Sequence, residues 1–535
     1  MIRVTSPSQP RMPMTDTAHH ATGILTGRGM TMSDQLSRHA RKIPDSGALT
    51  FESGTRTYRE LDDRVSRLVG ALRSRGVRPG DRIAVMCLNG IEAVETYLAS
   101  VRLGAICVPV NFRLVADEVA YLLGDCEPAA VVADAGLTPT VDAALAAAPS
   151  AHTCLLVGGH GDRDYERAVR ESTPDIPETT ADIQDPAFIM YTSGTTGRPK
   201  GAVLTHSNLL MHAFSSITHL GVAADDRVGL SGAPLFHIAG LGAVSTNLLL
   251  GGRSVLVRSG RFDPAEMVDL LARERVSNCF FVPAQWQAIC ALPDLADRDL
   301  SALRRISWGA APASSTLLRT MIDTFPQAEV VTMFGQTECS PITTVLRGED
   351  SVRKIGSVGT PMLNVEVRVV DDDMNDVARG EVGEIVYRSP MVMREYWGKP
   401  AETAEAFRGG WFHSGDLVRE DEDGYFYVVD RKKDMIISGG ENIYCAEVEN
   451  ALAAHPGIAE VALIGVPDPR WGEAPLAVIV PRDAANPPTA DEVEAWCRRR
   501  LAGYKCPRRI SVVAELPRNP SGKVLKTRLR AETGT

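Results

Sequence analysis

Several patterns are missing from this 535-residue sequence, and each absence narrows its chemistry. Ten cysteines are scattered with no C-x-x-C, and eleven histidines include no H-x-x-x-H. A zinc site or disulfide framework is therefore not expected, and reduced thiols in a cytoplasm are. No apolar run reaches the roughly 18 residues that would mark a membrane-spanning helix. The opening stretch MIRVTSPSQPRMPMTDTAHHATG has no apolar core of the secretory type. We expect residues 1–31 to be a disordered extension, with Met14, Met30 or Met32 as alternative starts. A basic excess is missing too: the formal net charge of −10 argues against a general nucleic-acid binder.

What is present is ordinary in bulk and informative in order. Hydrophobic residues at 44% and charged residues at 23% suit a globular protein, and the length calls for two or more domains. From about residue 55, short apolar runs alternate with helical stretches. RIAVMCL (82–88) reads as a strand, 90–105 as a helix, ICVPV as a strand, VADEVAYLLGDC as a helix and AAVVAD as a strand. The alternation returns at SVLVR, CFFVP, RRISWGA and AEVVTMFG, with helices between. Such text predicts α/β architecture built on parallel sheets. After about residue 360 the text turns β-rich (NVEVRVVDDD, GEVGEIVYRS, GYFYVVDRKKD). Past 434 a compact unit reads helix, strand, strand, helix, strand and a polar tail. We place the domain boundary in the charged stretch Arg431–Asp434, giving a large unit over 32–430 and a small one over 431–535.

The segment YTSGTTGRPKG (191–201) follows the apolar run PAFIMYT. It is not a Walker loop, because Lys200 follows Pro199 and no hydroxyl comes next. Its logic is nonetheless that of an anion cradle. Gly194, Gly197 and Gly201 permit tight backbone, Thr192, Ser193, Thr195 and Thr196 offer hydroxyls, and Lys200 offers a charge. A plain surface loop is the competing reading. Two further loops, WGAAP and FGQTE, also follow predicted strands, and ligands of open α/β sheets bind beyond strand carboxyl ends. Three such loops can converge on one ligand.

TSGTTGRPKG, WGAAP, FGQTE, HSGD, DRKKDMIISGGENIY and PRNPSGK occur in this order from about 190 to 523. The set resembles the adenylate-forming superfamily, most closely its fatty-acid–CoA ligases, and the resemblance covers the chain beyond the N-terminal extension. It implies parallel α/β subdomains with a small β-barrel-like one, and a small α+β C-terminal domain on a hinge. It also implies that a carboxylate is activated by ATP and Mg2+ to an acyl-adenylate, and that coenzyme A then takes the acyl group. Residue by residue, Thr192 to Gly197 with Lys200 would hold the outer phosphates and Thr337 the α-phosphate. Glu338 would coordinate magnesium. Phe334 and Gly335, with backbone from Gly309 through Ala310 and Ala311 to Pro312, would face the adenine. The family often has tyrosine at Phe334. Asp416 and Arg431 would hold the ribose, and Lys523 would be the catalytic lysine that meets the reacting carboxylate. Lys433 matches the hinge, and Gly439 and Gly440 would leave room for the pantetheine arm. Cys445 departs from a common proline.

The acyl pocket is assigned to His237, Val282 and Trp308, although a lone histidine among apolar residues is more often core. Trp286 and Trp308 offer an aromatic wall for a benzoate-like acid, against a medium- or long-chain fatty acid as the first expectation. The arginines 498–500 are read as ending a helix whose dipole favours them, not as a CoA phosphate site. Two alternatives remain open: an acyl-AMP ligase loading a carrier protein, and a nucleotide- or acyl-binding regulator of the same fold. Neither nucleic acid nor a membrane span is expected as a partner. Peripheral membrane contact and a homodimer stay open.

Overall fold

A computed structural model describes residues 30–52, 54–146, 148–177, 181–192, 198–223, 226–310, 313–438, 441–518 and 524–533. Two mixed sheets carry the large unit. One has seven strands, and the four at one end (Ile106–Pro109, Arg82–Met86, Ala130–Asp134, Thr153–Val157) are parallel. The helix Ile91–Leu103 beside them is buried along nearly its whole length. Its polar residues are paired as they are buried: Glu95 with Arg64 and Tyr165, and Arg102 with Asp62. The other sheet has nine strands, and Val228–Ser231, Asn278–Phe281, Arg305–Gly309 and Glu329–Gly335 form its parallel centre.

Residues distant in sequence complete both sheets. Gly47–Phe51 pairs in parallel with Arg253–Leu256 in the nine-stranded sheet. Glu395–Tyr396 adds to the edge of the seven-stranded one, beside Lys200–Thr205. Helices His206–Leu220 and Ile238–Leu250 lie on one face of the nine-stranded sheet, where Leu220 and Met211 meet Val331 and Met333. Helices Pro264–Arg273, Pro283–Cys290 and Ser315–Thr324 pack on the other. The buried Arg305 guanidinium pairs with Glu329 on the next strand and donates to Leu220 O at 2.6 Å, tying sheet to helix.

The later β-rich text forms a four-stranded antiparallel sheet in the order Glu366–Val370, Val382–Arg388, Phe412–Glu420, Phe426–Arg431. Among the described residues no closing pair turns it into the barrel-like unit the sequence suggested. The C-terminal unit is a five-stranded sheet with helices Cys445–Ala453 and Ala490–Arg498. Its short hairpin Ile436–Ser438/Glu441–Ile443 was not read from the sequence.

Three local expectations need correction. Thr31 belongs to the folded unit: its hydroxyl accepts from Asp34 N–H and caps the helix Met32–Lys42. Such caps typically contribute about 1 kcal/mol. The polar tail contains a helix, Lys526–Thr533, which buries Leu529 against the sheet. Gly201 lies within a strand. A Cβ there would stand 2.5 Å from Ile189 Cγ2, so cross-strand packing and not a ligand demands glycine. Among the described residues no helix is long and apolar enough to cross a membrane, and all ten cysteines are free.

Candidate functional site

The anion loop sits in a hairpin. Pro186–Thr192 and Lys200–Thr205 are antiparallel, with Thr192 opposite Lys200. Ser193, Gly194, Thr195, Thr196 and Gly197 lie outside the described residues. Both ends of the loop are pinned. Tyr191 donates its hydroxyl to Asp125 Oδ2 at 2.7 Å, and Lys399 Nζ meets the other oxygen at 2.7 Å. Tyr121 donates to Pro199 O at 3.2 Å, and Trp397 N–H to Gly201 O at 2.8 Å.

Glu338 follows the strand Glu329–Gly335 on a one-turn 3-10 helix and is buried. Thr192 Oγ1 donates to its Oε1 at 3.2 Å and Tyr396 Oη donates to the same oxygen at 2.9 Å. Its second oxygen takes no partner among the described residues. Lys200 Nζ lies 5.2 Å from the Tyr396 ring centroid, within cation–π range. Burial first, and then the Glu338 carboxylate, push the Tyr396 phenol up, so it stays a donor. Tyr396 was missed from the sequence. The available signal was an aromatic residue between charged ones in REYWGKP, but only strand addition at the sheet edge brings it here. Thr337 is half-buried beside Glu338.

Glycine shapes the next wall. A Cβ on Gly309 would stand 2.3 Å from Met333 O, and one on Gly335 (φ +153°) would stand 2.1 Å from Pro341 O. Ala310 adopts φ +65°, an uncommon conformation for a residue with a Cβ. Phe334 is half-buried at the strand end, and Ala311 and Pro312 lie outside the described residues.

HSGD approaches from the four-stranded sheet. Gln336 Nε2 donates to Ser414 O at 3.5 Å, joining the FGQTE turn to this motif. Asp416 is buried, and its Oδ1 meets Arg431 Nε at 2.5 Å across paired strands. Gly415 N–H donates to Glu384 at 3.0 Å. Burial alone would raise the Glu384 pKa, but His413, this N–H and Lys432 hold it below the usual range.

Lys433 is exposed in the turn after Phe426–Arg431. Its neighbours are anchored in opposite directions: Lys432 to Glu384 at 3.1 Å, Asp434 to Arg530 of the last helix at 3.1 Å. The Cys445 N–H donates to Asp430, and its thiol donates to Asp434 O at 2.9 Å. A proline has no N–H for that bond. Gly439, Gly440 and Lys523 lie outside the described residues. Arg498 pairs with Glu494 and Arg500 stacks on Trp496, so these arginines are engaged within their own unit.

On the acyl side, His237 caps the helix Ile238–Leu250. Its Nδ1 accepts from Ala239 N–H at 3.2 Å, and burial lowers its pKa. A neutral ring with Nδ1 so committed presents only its Nε2 edge to a ligand. Val282 is half-buried just beyond Asn278–Phe281 and starts the next helix, its N–H donating to Gln285 Oε1 at 3.1 Å. Trp308 must be moved. In the parallel register it aligns with Phe281 and Thr332, and it packs with Leu318 and Met321 on the face away from the His237 helix. The face toward that helix carries Phe280, Ser307 and Val331 instead. Trp286 is likewise core, fully buried against Phe281 and Phe325 and donating to Ser307 O at 3.0 Å.

The convergence of the anion loop, FGQTE and HSGD is matched by similarity to known proteins. The AMP-binding enzyme family model covers residues 36–397, and its C-terminal domain model covers 447–523. The chain is 44% identical to feruloyl-CoA synthase of Amycolatopsis sp over 497 residues, covering 93% of this chain and 98% of that protein. It is 37% identical to long-chain-fatty-acid–CoA ligase FadD13 of Mycobacterium tuberculosis over 476 residues, covering 89% and 93%. Among solved structures, o-succinylbenzoate coenzyme A synthetase of Bacillus subtilis, in complex with ATP and magnesium, superposes with a TM-score of 0.84 at 32% identity. That match covers 93% of this chain and 99% of the other. Family models matched over most of the sequence, and relatives aligned almost end to end, make this chain a member of the AMP-binding enzyme family: an adenylate-forming CoA ligase that uses ATP, Mg2+ and coenzyme A.

Proposed function

We propose that the acid activated is aromatic, and not the medium- or long-chain fatty acid the sequence first suggested. The observation that carries this reading is 44% identity, across 93% of this chain, to a feruloyl-CoA synthase. The match to an o-succinylbenzoate coenzyme A synthetase supports the same reading.

In this reading the acid's carboxylate oxygen attacks the α-phosphorus of ATP, and pyrophosphate leaves. The thiol of coenzyme A then attacks the acyl carbon and AMP leaves. Lys200, Thr192 and the rest of the loop hold the departing phosphates, and Thr337 donates to the α-phosphate. Glu338 fits a magnesium site. It is a hard oxygen donor with one oxygen held by Thr192 and Tyr396, and no cluster of three or more metal-ligating side chains exists among the described residues. A single carboxylate completed by phosphate oxygens and waters suits Mg2+. Bound there, the cation neutralises phosphate charge. Asp416 and Arg431 hold the ribose, and Phe334 with the Gly309–Pro312 segment faces the adenine. Lys523 stabilises the charge that develops between the carboxylate and phosphorus. Lys433, between oppositely anchored neighbours, is the hinge between units 32–430 and 431–535. Rotation there brings Gly439 and Gly440 to the pantetheine arm.

The test is a panel of benzoates, cinnamates and fatty acids of graded length, scored by AMP release and thioester formation. Best kcat/KM on an aromatic acid, at least about tenfold above any fatty acid, is the expected result; one unfilled methylene in a pocket alone changes affinity by about 1–3 kcal/mol. A fatty acid as best substrate overturns the aromatic reading. A stable adenylate without thioester overturns transfer to coenzyme A.

A further inference from the structure

The edge of the seven-stranded sheet is held from both faces. Tyr191 and Thr192 are neighbours on the strand Pro186–Thr192, so their side chains point to opposite faces. On one face Thr192 and Tyr396 both donate to Glu338 Oε1, and Lys200 lies over the Tyr396 ring. On the other, Tyr191 and Trp397 pack with Cys126 of the helix Ala116–Cys126. Asp125 belongs to that helix, and its side chain is 15% exposed. Its Oδ2 accepts from Tyr191 Oη at 2.7 Å, and its Oδ1 takes Lys399 Nζ at 2.7 Å. Tyr121, one turn earlier on the same helix, donates to Pro199 O at 3.2 Å, so the helix grips both strands of the hairpin.

These contacts close a ring around the sheet edge. From Glu338 one arm runs through Thr192 and its neighbour Tyr191 to Asp125 Oδ2. The other runs through Tyr396 and, three residues on, Lys399 to Asp125 Oδ1. The second arm has little other support, because the strand Glu395–Tyr396 is two residues long and offers few ladder bonds of its own. Resting on the reading of Glu338 as the magnesium ligand, we infer that Asp125 is a positioning residue for the metal end of the site. From the far face it holds the two donors that orient the Glu338 carboxylate. A carboxylate suits this place: it only accepts, and its two oxygens take a phenol and an ammonium at once, where an amide has one oxygen to offer. Burial first, and then the Cys126 thiol and the Asp125 carboxylate, push the Tyr191 phenol up, so it stays a donor. The bond to Asp125 raises the Lys399 ammonium in the same way, so it stays charged.

The test is equilibrium binding of the unreactive analogue α,β-methylene-ATP to the full chain, with magnesium and with the metal chelated. The quantity read is the gain in affinity that magnesium brings. Asp125→Ala is expected to lower that gain about fivefold to tenfold, and Tyr191→Phe and Lys399→Met, each of which removes one arm, about threefold. Lys399→Arg, which keeps a donor, is expected to recover most of it. A merely structural role weakens binding with and without the metal alike and leaves the gain unmoved. Glu338→Gln is the reference, and it is expected to abolish the gain. A gain lost in Glu338→Gln but unmoved within twofold in Asp125→Ala, Tyr191→Phe and Lys399→Met overturns this inference alone. Tyr191→Phe and Lys399→Met decide if Asp125→Ala does not fold. A wild type with no gain, or a gain kept in Glu338→Gln, overturns it together with the reading of Glu338 as the metal ligand.

Discussion

The proposed nucleotide side and the proposed acyl side of the site are built differently. On the nucleotide side, charged and hydroxyl-bearing side chains interlock: Thr192 and Tyr396 on Glu338, Arg431 on Asp416, Lys432 and His413 on Glu384. Around His237, on the proposed acyl side, the polar atoms are neutral: His237 is a helix cap, and Asn247 on the same helix meets Ser254. The triphosphate and ribose are the same for every acid, so fixed charges can be set in advance. In the proposed reading the acid is selected by the volume and polarity around it, where one side chain can alter selectivity without touching the phosphate chemistry.

Four substitutions can break this contrast or sharpen it, taken from the largest effect to the smallest. Glu338→Gln keeps the shape and removes the charge, and about 100-fold to 1,000-fold loss of kcat is expected, the scale for removing one transition-state contact. ATP–pyrophosphate exchange over a magnesium titration reads it, and wild-type rates at saturating magnesium would mean the carboxylate is not the metal ligand.

Asp430, beside the ribose-side Arg431, extends the interlocked region towards the hinge. Burial raises its pKa to about 6, outweighing Lys526 and the N–H donors of Arg431 and Cys445. A carboxyl whose folded pKa lies above its unfolded value favours folding below the unfolded pKa, and that contribution is lost as pH rises through about 6. Melting across pH 4–7 should therefore lose up to about 3 kcal/mol to this group as pH rises. Asp430→Asn should flatten the slope. An unchanged slope would place the burial penalty elsewhere.

Tyr396→Phe removes one hydrogen bond to Glu338 and keeps the ring under Lys200. About 1–2 kcal/mol, or roughly fivefold to thirtyfold in KM for ATP, is expected, with KM for the acid unchanged. Equal changes in both constants would indicate a structural role. Trp308→Phe, on the far face of the sheet, should lower stability by about 1–3 kcal/mol and move acid selectivity less than twofold. A large selectivity change would return Trp308 to the pocket.

How much of this was legible in the sequence depends on the distance over which each feature is decided. PAFIMYT and AEVVTMFG as strands depend on neighbours within a few residues, and those elements stand where the text placed them. Trp308 was misassigned because the motif WGAAP fixes its place along a strand but not its face. Parity in a parallel sheet is settled by the strands on either side. Tyr396 was passed over because it is a two-residue edge strand whose partner lies nearly two hundred residues earlier. The last helix was taken for a polar tail because its single buried residue, Leu529, has no periodic company.

The residue types by themselves determined the reaction class. Binding a polyphosphate calls for glycine, hydroxyls, lysine and a carboxylate at set spacings within short loops, and short loops are local text. Which acid is activated is a matter of the space and the polar groups that packed elements leave around it. Those quantities exist only once distant elements have packed together, since packing removes the water that would otherwise fill the space and satisfy those groups.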